Sequence, residues 1–288
     1  MGNSATDVAD VRIPRRRDSL ILAQIGVRRS LEWVFRPFLR PGLNEFARAA
    51  RFQTPSARSL LQDRWGAIPS QVETLASEFG AVWRDVERSP RDGLPYPSGW
   101  RIEREHALFV YGLVRILRPD RIVETGVANG ISSWLILGAL DQNGQGRLVS
   151  VDVRDDVGTL VPRDLRDRWD LTILGRSGGR HSLPEVLRAA RPLDMFLHDS
   201  AHTYGHQLSE YRAAWSSLTP TGTLLSDDAD ASFAFLDFSG PTGRTPDFLV
   251  GRERVFGILP RNVPEGGGGG GARPVDHRST AGHLDLTG

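Results

Sequence analysis

From Leu31 the apolar residues Val34, Phe35, Phe38 and Leu39 recur at helical spacing with arginines between them, predicting a basic amphipathic helix. Helical pattern resumes over 71–87, and Pro90, Gly93, Pro95, Pro97 and Gly99 then form a breaker-rich stretch that reads as a linker. Ala107, Val110, Val114 and Leu117 share one helical stripe, which Pro119 and Asp120 end. Beyond it the period alternates. Short β-type runs at 121–123, 147–151, 171–174, 194–197 and 223–225 are separated by helical patterns at 132–140, 182–190 and 204–218. In the last of these, Tyr204, Leu208, Tyr211, Trp215 and Leu218 fall on one face, which is expected to pack on a sheet. A final strand is expected at 255–259. Strand and helix in alternation imply an α/β fold: a Rossmann-like, doubly wound, mainly parallel sheet with helices on both faces and an N-terminal helical extension.

This pattern divides the chain into a basic extension (1–50), a helical lead-in with its linker (51–100), a core domain (101–262) and a glycine-rich tail (263–288). The six glycines Gly266 to Gly271 lose too much backbone entropy on ordering to join the fold. A chain of 288 residues, 39% hydrophobic and 25% charged, suits one globular core with additions.

The net charge of +1 offers no global field for nucleic acid, and none is expected as a partner. Positive charge gathers instead at Arg15, Arg16, Arg17, Arg28, Arg29, Arg36 and Arg40. The first helix is read as packing on the core or on a second copy, with contact to an anionic membrane surface as the competing reading. All 36 basic residues are arginine, so lysine cannot serve as a base; cysteine is absent, so thiolate chemistry and disulfides are excluded. No run approaches the roughly 18 apolar residues of a membrane span, and a cytoplasmic setting is expected.

The strand 121–123 runs into Glu124, Thr125, Gly126, Val127, Ala128, Asn129 and Gly130, directly before a helix. Small residues at Gly126, Ala128 and Gly130 allow backbone to approach a ligand at the carboxyl end of a strand. The spacing is not the G-x-G-x-x-G that seats a pyrophosphate on a helix start. Glu124 suits a cofactor with a cationic amino acid group, such as S-adenosylmethionine, and Asp152, at the end of the second strand, can accept from both ribose hydroxyls. Ser177, after the third strand, falls where an adenine contact would, though ordinary loop chemistry accounts for it equally.

The run from Arg118 to Gly130 resembles the first motif of class I S-adenosylmethionine-dependent methyltransferases. Asp199-Ser200-Ala201-His202-Thr203-Tyr204, Leu218-Thr219-Pro220-Thr221-Gly222 and Asp227-Asp228 resemble later motifs of the small-molecule branch that includes macrolide-sugar O-methyltransferases and cephalosporin hydroxylase-like proteins. Thr221 departs from the second glycine usual there. Adjacent strand ends should bring Asp199, Asp227 and Asp228 together, and oxygen-only ligation suits Mg²⁺ better than zinc. The resemblance implies the same three metal positions; the competing reading is that these acids cap helices or contact acceptor or cofactor directly. His202, with an unperturbed pKa near ~6.5, is the candidate base, against a purely structural histidine at a helix start. A zinc pair of His202 with His206 lacks a third ligand.

These observations predict methyl transfer to a hydroxyl of a small molecule, a sugar or specialised metabolite, with Mg²⁺ assistance. The alternatives are metal-independent O- or N-methylation and a non-catalytic scaffold held by its basic helix. A homo-oligomer is compatible with either. Tyr96, Trp100 and the segment 233–248 are expected to cover the acceptor.

Overall fold

A computed structural model describes residues 40–41, 56–175 and 181–262; the helix expected after Leu31, Ser177 and the glycine tail lie outside the described residues. Three helices lead in: α1 (Ala57–Trp65), α2 (Pro69–Arg88) and α3 (Arg104–Leu117). The sheet strands are β1 (Arg121–Thr125), β2 (Arg147–Asp152), β3 (Trp169–Ile173), β4 (Leu193–His198), β5 (Leu218–Ser226), β6 (Asp247–Val250) and β7 (Val255–Pro260). Between them lie α4 (Ile131–Asn143), α5 (Leu183–Ala189), α6 (Tyr204–Trp215) and α7 (Ala234–Ser239).

The seven strands run in the order β3-β2-β1-β4-β5-β7-β6, with β1 to β5 parallel to their neighbours and β7 antiparallel to both β5 and β6. This is the expected Rossmann-like doubly wound sheet. Its order reverses between β1 and β4, and the crevice at the carboxyl ends there is where open α/β sheets bind ligands.

Strand alternation decides what each helical layer meets. Ile122, Leu148, Met195, Leu197, Leu225 and Ile258 pack in one core with α1 to α4. Val123, Val151, Phe196, Leu224 and Leu259 pack in the other with α5, α6 and α7. Parallel register pairs Glu124 with Ser150, so both side chains share a face, and Asp152 follows two residues on. By the same count Glu124, Asp152, Asp199 and Asp227 belong to the α3/α4 layer, whereas Thr125, His198 and Ser226 belong to the α6 layer.

Several expectations need correction. The last helical pattern ends at Trp215, and Leu218 opens β5. The buried face of α6 is Gln207, Glu210, Tyr211 and Ala214, rotated from the Tyr204–Leu208–Trp215 stripe, whose members are half-buried. Two polar side chains turn inward because Glu210 and Gln207 find buried partners: Glu210 accepts from Thr125, and Gln207 accepts from Ser232. Phe233, Phe235, Phe238 and Phe248 are buried, the last three in the α6/α7 core. The boundary drawn at 101 divides what packing joins, since Leu60, Leu61, Phe79 and Trp83 share a core with Phe109, Leu113 and Leu137.

Candidate active site

The loop after β1 is shaped by close approach. Gly126 has φ +81, and a Cβ there would collide with the Asp199 carbonyl. Gly130 has φ +90, and its Cβ would sit 2.8 Å from Gly158 Cα. Ala128 adopts φ 44, rare for a residue with a side chain. Asp152 holds the loop from below: Oδ2 accepts from the Val127 amide at 2.9 Å, while Oδ1 accepts from Val153 at 2.7 Å and Arg154 at 3.1 Å.

Glu124 is fully buried. Its Oε1 accepts from Ser133, at the start of α4, and from Ser150 at 2.5 Å; Oε2 has no partner. Burial pushes its carboxyl above the usual range, and the serine hydroxyls offset only part of that. An orphaned buried carboxylate oxygen is rare in a folded protein and calls for a ligand or a proton.

The breaker-rich stretch is fastened here. Asn129 Nδ2 donates to the Tyr96 carbonyl at 3.0 Å, and the Tyr96 amide donates back to Oδ1 at 3.3 Å. The Tyr96 hydroxyl donates to Asp156 at 3.3 Å, and the Arg154 guanidinium lies 5.4 Å above its ring. Tyr96 thus stands beside the Asp152 end of the crevice, not among the acids that follow β4 and β5.

Those acids do converge. The Asp199 amide donates to the Thr125 carbonyl at 2.9 Å, and the Asp227 amide to the His198 carbonyl at 2.9 Å, which carries each strand end past its neighbour. His202 places Nδ1 3.0 Å from Asp228 Oδ2 and Nε2 3.7 Å from Asp199 Oδ1. Burial and the charges of Asp227, Asp228 and Glu124 push the Asp199 carboxyl well up. Burial also pushes Asp228 up, but the His202 hydrogen bond and charge, with Arg254 and His106, bring it below its usual range.

Three residues at this end went unforeseen. Arg254, between β6 and β7, puts Nη1 3.1 Å from Asp227 Oδ2 and 3.5 Å from Asp228 Oδ2. His106 of α3 is fully buried, lies 3.6 Å from Asp227 Oδ1, and has no hydrogen-bond partner on either nitrogen. Beneath the site, Glu210 gathers Thr125 at 2.5 Å, His198 at 2.7 Å, His206 at 2.9 Å and Ser200 at 3.1 Å. Arg254 lies in a hairpin far from any motif and carries no spacing signal; Glu210 four residues after His206 was visible, but inside an apparently amphipathic helix. His202 and His206 turn to different acids.

Residues 123–229 match the family described as a methyltransferase domain. The match spans β1 to the turn after β5 and includes each of the strand-end acids. Among solved structures, the chain is similar to an O-methyltransferase from Bacillus cereus in complex with SAH: 16% identity over 70% of this chain and 94% of that one, with a TM-score of 0.45. TomG, an O-methyltransferase from Streptomyces achromogenes in complex with SAM, is 16% identical over 65% of this chain and 88% of its own, with a TM-score of 0.46. MycE, a methyltransferase in complex with Mg, SAH and mycinamycin VI, is 16% identical over 54% of this chain and 48% of its own, with a TM-score of 0.39. None reaches 0.5, so the fold assignment stands on the strand order itself. No curated protein matches the chain. Among the described residues no helix is long and apolar enough to cross a membrane.

Proposed function

We propose that the chain transfers a methyl group from S-adenosylmethionine to a hydroxyl of a small molecule. The observation that carries this reading is the shared face of Glu124 and Asp152 beneath a loop with no room for a Cβ at Gly126 or Gly130. In it, Asp152 holds the ribose and the unpartnered Oε2 of Glu124 receives the amino group. When bound there, S-adenosylmethionine supplies an electrophilic methyl.

The rest falls to the chain's own side chains. His202 Nε2 has no hydrogen-bond partner and accepts the acceptor's proton. Asp228, on Nδ1, fixes the ring's orientation and stabilises the imidazolium as it forms. Asp199, whose Oδ1 lies 3.7 Å from His202 Nε2, holds the acceptor's oxygen in line, which contributes through orientation.

Mg²⁺ assistance was expected from the three strand-end acids and from the resemblance, but the donor set does not fit a divalent ion. Arg254 already stands as cation on Asp227 and Asp228, and the described residues contain no three-ligand cluster. This contact favours metal-independent O-methylation.

Calorimetry with SAH tests the cofactor half of the proposal. Labelled methyl transfer to hydroxylated small molecules, followed by mass analysis, tests the other. Absence of SAH binding by the folded chain rejects the reading.

A further inference from the structure

We propose that Arg254 is a built-in cation which organises the acceptor end of the site in place of a divalent ion, acting as a positioning residue through Asp227 and Asp228. Its functional consequence rests on the methyltransferase reading; its charge chemistry does not.

Asp227 is almost wholly buried, and its Oδ1 has no hydrogen-bond partner. A lone carboxylate in that setting is costly, and with Asp199 and Asp228 beside it the cost grows. The guanidinium is the nearest fixed positive charge. It bridges Asp227 and Asp228 while only 19% exposed, and the two acids raise its own affinity for the proton despite burial. Arginine suits this task because its planar fork can face two carboxylates at once while it keeps its charge on burial.

The backbone that presents Arg254 is pinned on both sides. Glu103, at the start of α3, accepts from the Arg252 amide at 2.6 Å and the Glu253 amide at 2.9 Å. On the other side the Val255 amide donates to Asp230 at 2.9 Å. Gly251 donates to the Arg254 carbonyl at 2.8 Å, and a Cβ on Gly251 would collide with the Glu103 carboxylate. A hairpin tip held by a carboxylate from another element is not a solvated arginine that happened to fold inward. One donor, Nε, is buried and has no hydrogen-bond partner, so Nη1 alone carries the contacts to the two acids.

The test compares the chelator-treated full-length wild type with Arg254→Ala and Arg254→Lys by titration with Mn²⁺, read by electron paramagnetic resonance. Arg254→Ala is expected to bind Mn²⁺ at least about tenfold more tightly than wild type. Arg254→Lys, which restores a cation, is expected to stay near wild type, and adding Asp227→Asn to Arg254→Ala should abolish the gain. Should Arg254→Ala not fold, Glu103→Gln, which frees the hairpin tip, is expected to show a smaller gain in the same direction. Stoichiometric Mn²⁺ on the wild type, or no gain in any variant, overturns the proposal. SAH affinity measured on the same samples separates the two readings: its absence in folded wild type ends the methyltransferase proposal and leaves the Mn²⁺ comparison intact. Wild-type methyl transfer is expected to survive chelator unchanged; loss restored by Mg²⁺ counts against Arg254 as the cation.

Discussion

The Nδ1 of His202 stands 3.0 Å from Asp228 Oδ2, leaving Nε2 as the nitrogen without a hydrogen bond. A base oriented in this way should be missed in turnover and not in cofactor affinity. His202→Ala is expected to lower kcat about 10²-fold or more while SAH affinity stays at the wild-type value. Asp228→Asn should move kcat in the same direction by less. A fully active His202→Ala removes the histidine from the chemistry.

Asp152 makes three backbone hydrogen bonds and is proposed to hold the ribose as well. Charged hydrogen bonds are worth about 1.5–3 kcal/mol, so Asp152→Ala should weaken SAH binding by about tenfold or more in calorimetry. A thermal melt of the same sample reports how much of the effect is loop stability. Unchanged affinity would detach Asp152 from the cofactor.

Two glycines with positive φ offer a controlled comparison. Gly144→Ala, at φ +68 with open space around it, should cost about 1 kcal/mol, the strain of the left-handed region alone. Gly126→Ala adds a collision with the Asp199 carbonyl and should cost more than about 2 kcal/mol in denaturant unfolding, with SAH binding lost. Equal costs would mean that the loop has room to give.

Glu210 should contribute to the acid dependence of the fold. Burial pushes its carboxyl up, but hydrogen bonds and charge from His198 and His206, with Thr125, bring it far below its usual range. A depressed carboxyl stabilises the fold above the unfolded pKa near ~4.3, and that stability is lost as pH falls through the folded value. His206 works the other way: Glu210 raises its pKa, so its contribution is present below ~6.5 and lost as pH rises through the folded value. Glu210→Gln should therefore lower Tm at neutral pH, by a loss of about 3 kcal/mol, and flatten the fall in Tm below about pH 4. An unchanged acid limb in the variant would assign that limb to other groups.

How much of this was legible in the chain follows from how far each signal reaches. The alternation of strand and helix, the loop from Glu124 to Gly130 and the acids at Asp152, Asp199, Asp227 and Asp228 lie within a few residues of strand ends, so local pattern places them together. His202 was legible for the same reason. Arg254 and His106 come to Asp227 from a hairpin and from a helix before the sheet, contacts set only by tertiary packing. The rotation of α6 was misjudged because burial was assigned by apolarity, whereas Glu210 and Gln207 turn inward to meet polar partners. Phe235 and Phe238 lie in α7, a buried helix too short to show a helical period in the sequence.

Because neighbouring positions on a strand point to opposite layers, this sheet keeps its reactive groups and its scaffolding groups interleaved, one residue apart. Inserting a single residue within β5 would move Ser226 into the place of Asp227, turning a hydroxyl toward Arg254, and bring Leu225 beneath Tyr211. Such an insertion should be far more damaging than one in the turn after Asp228, even though both add the same atom count. The arrangement tolerates substitution at these positions better than a change of length in the strands.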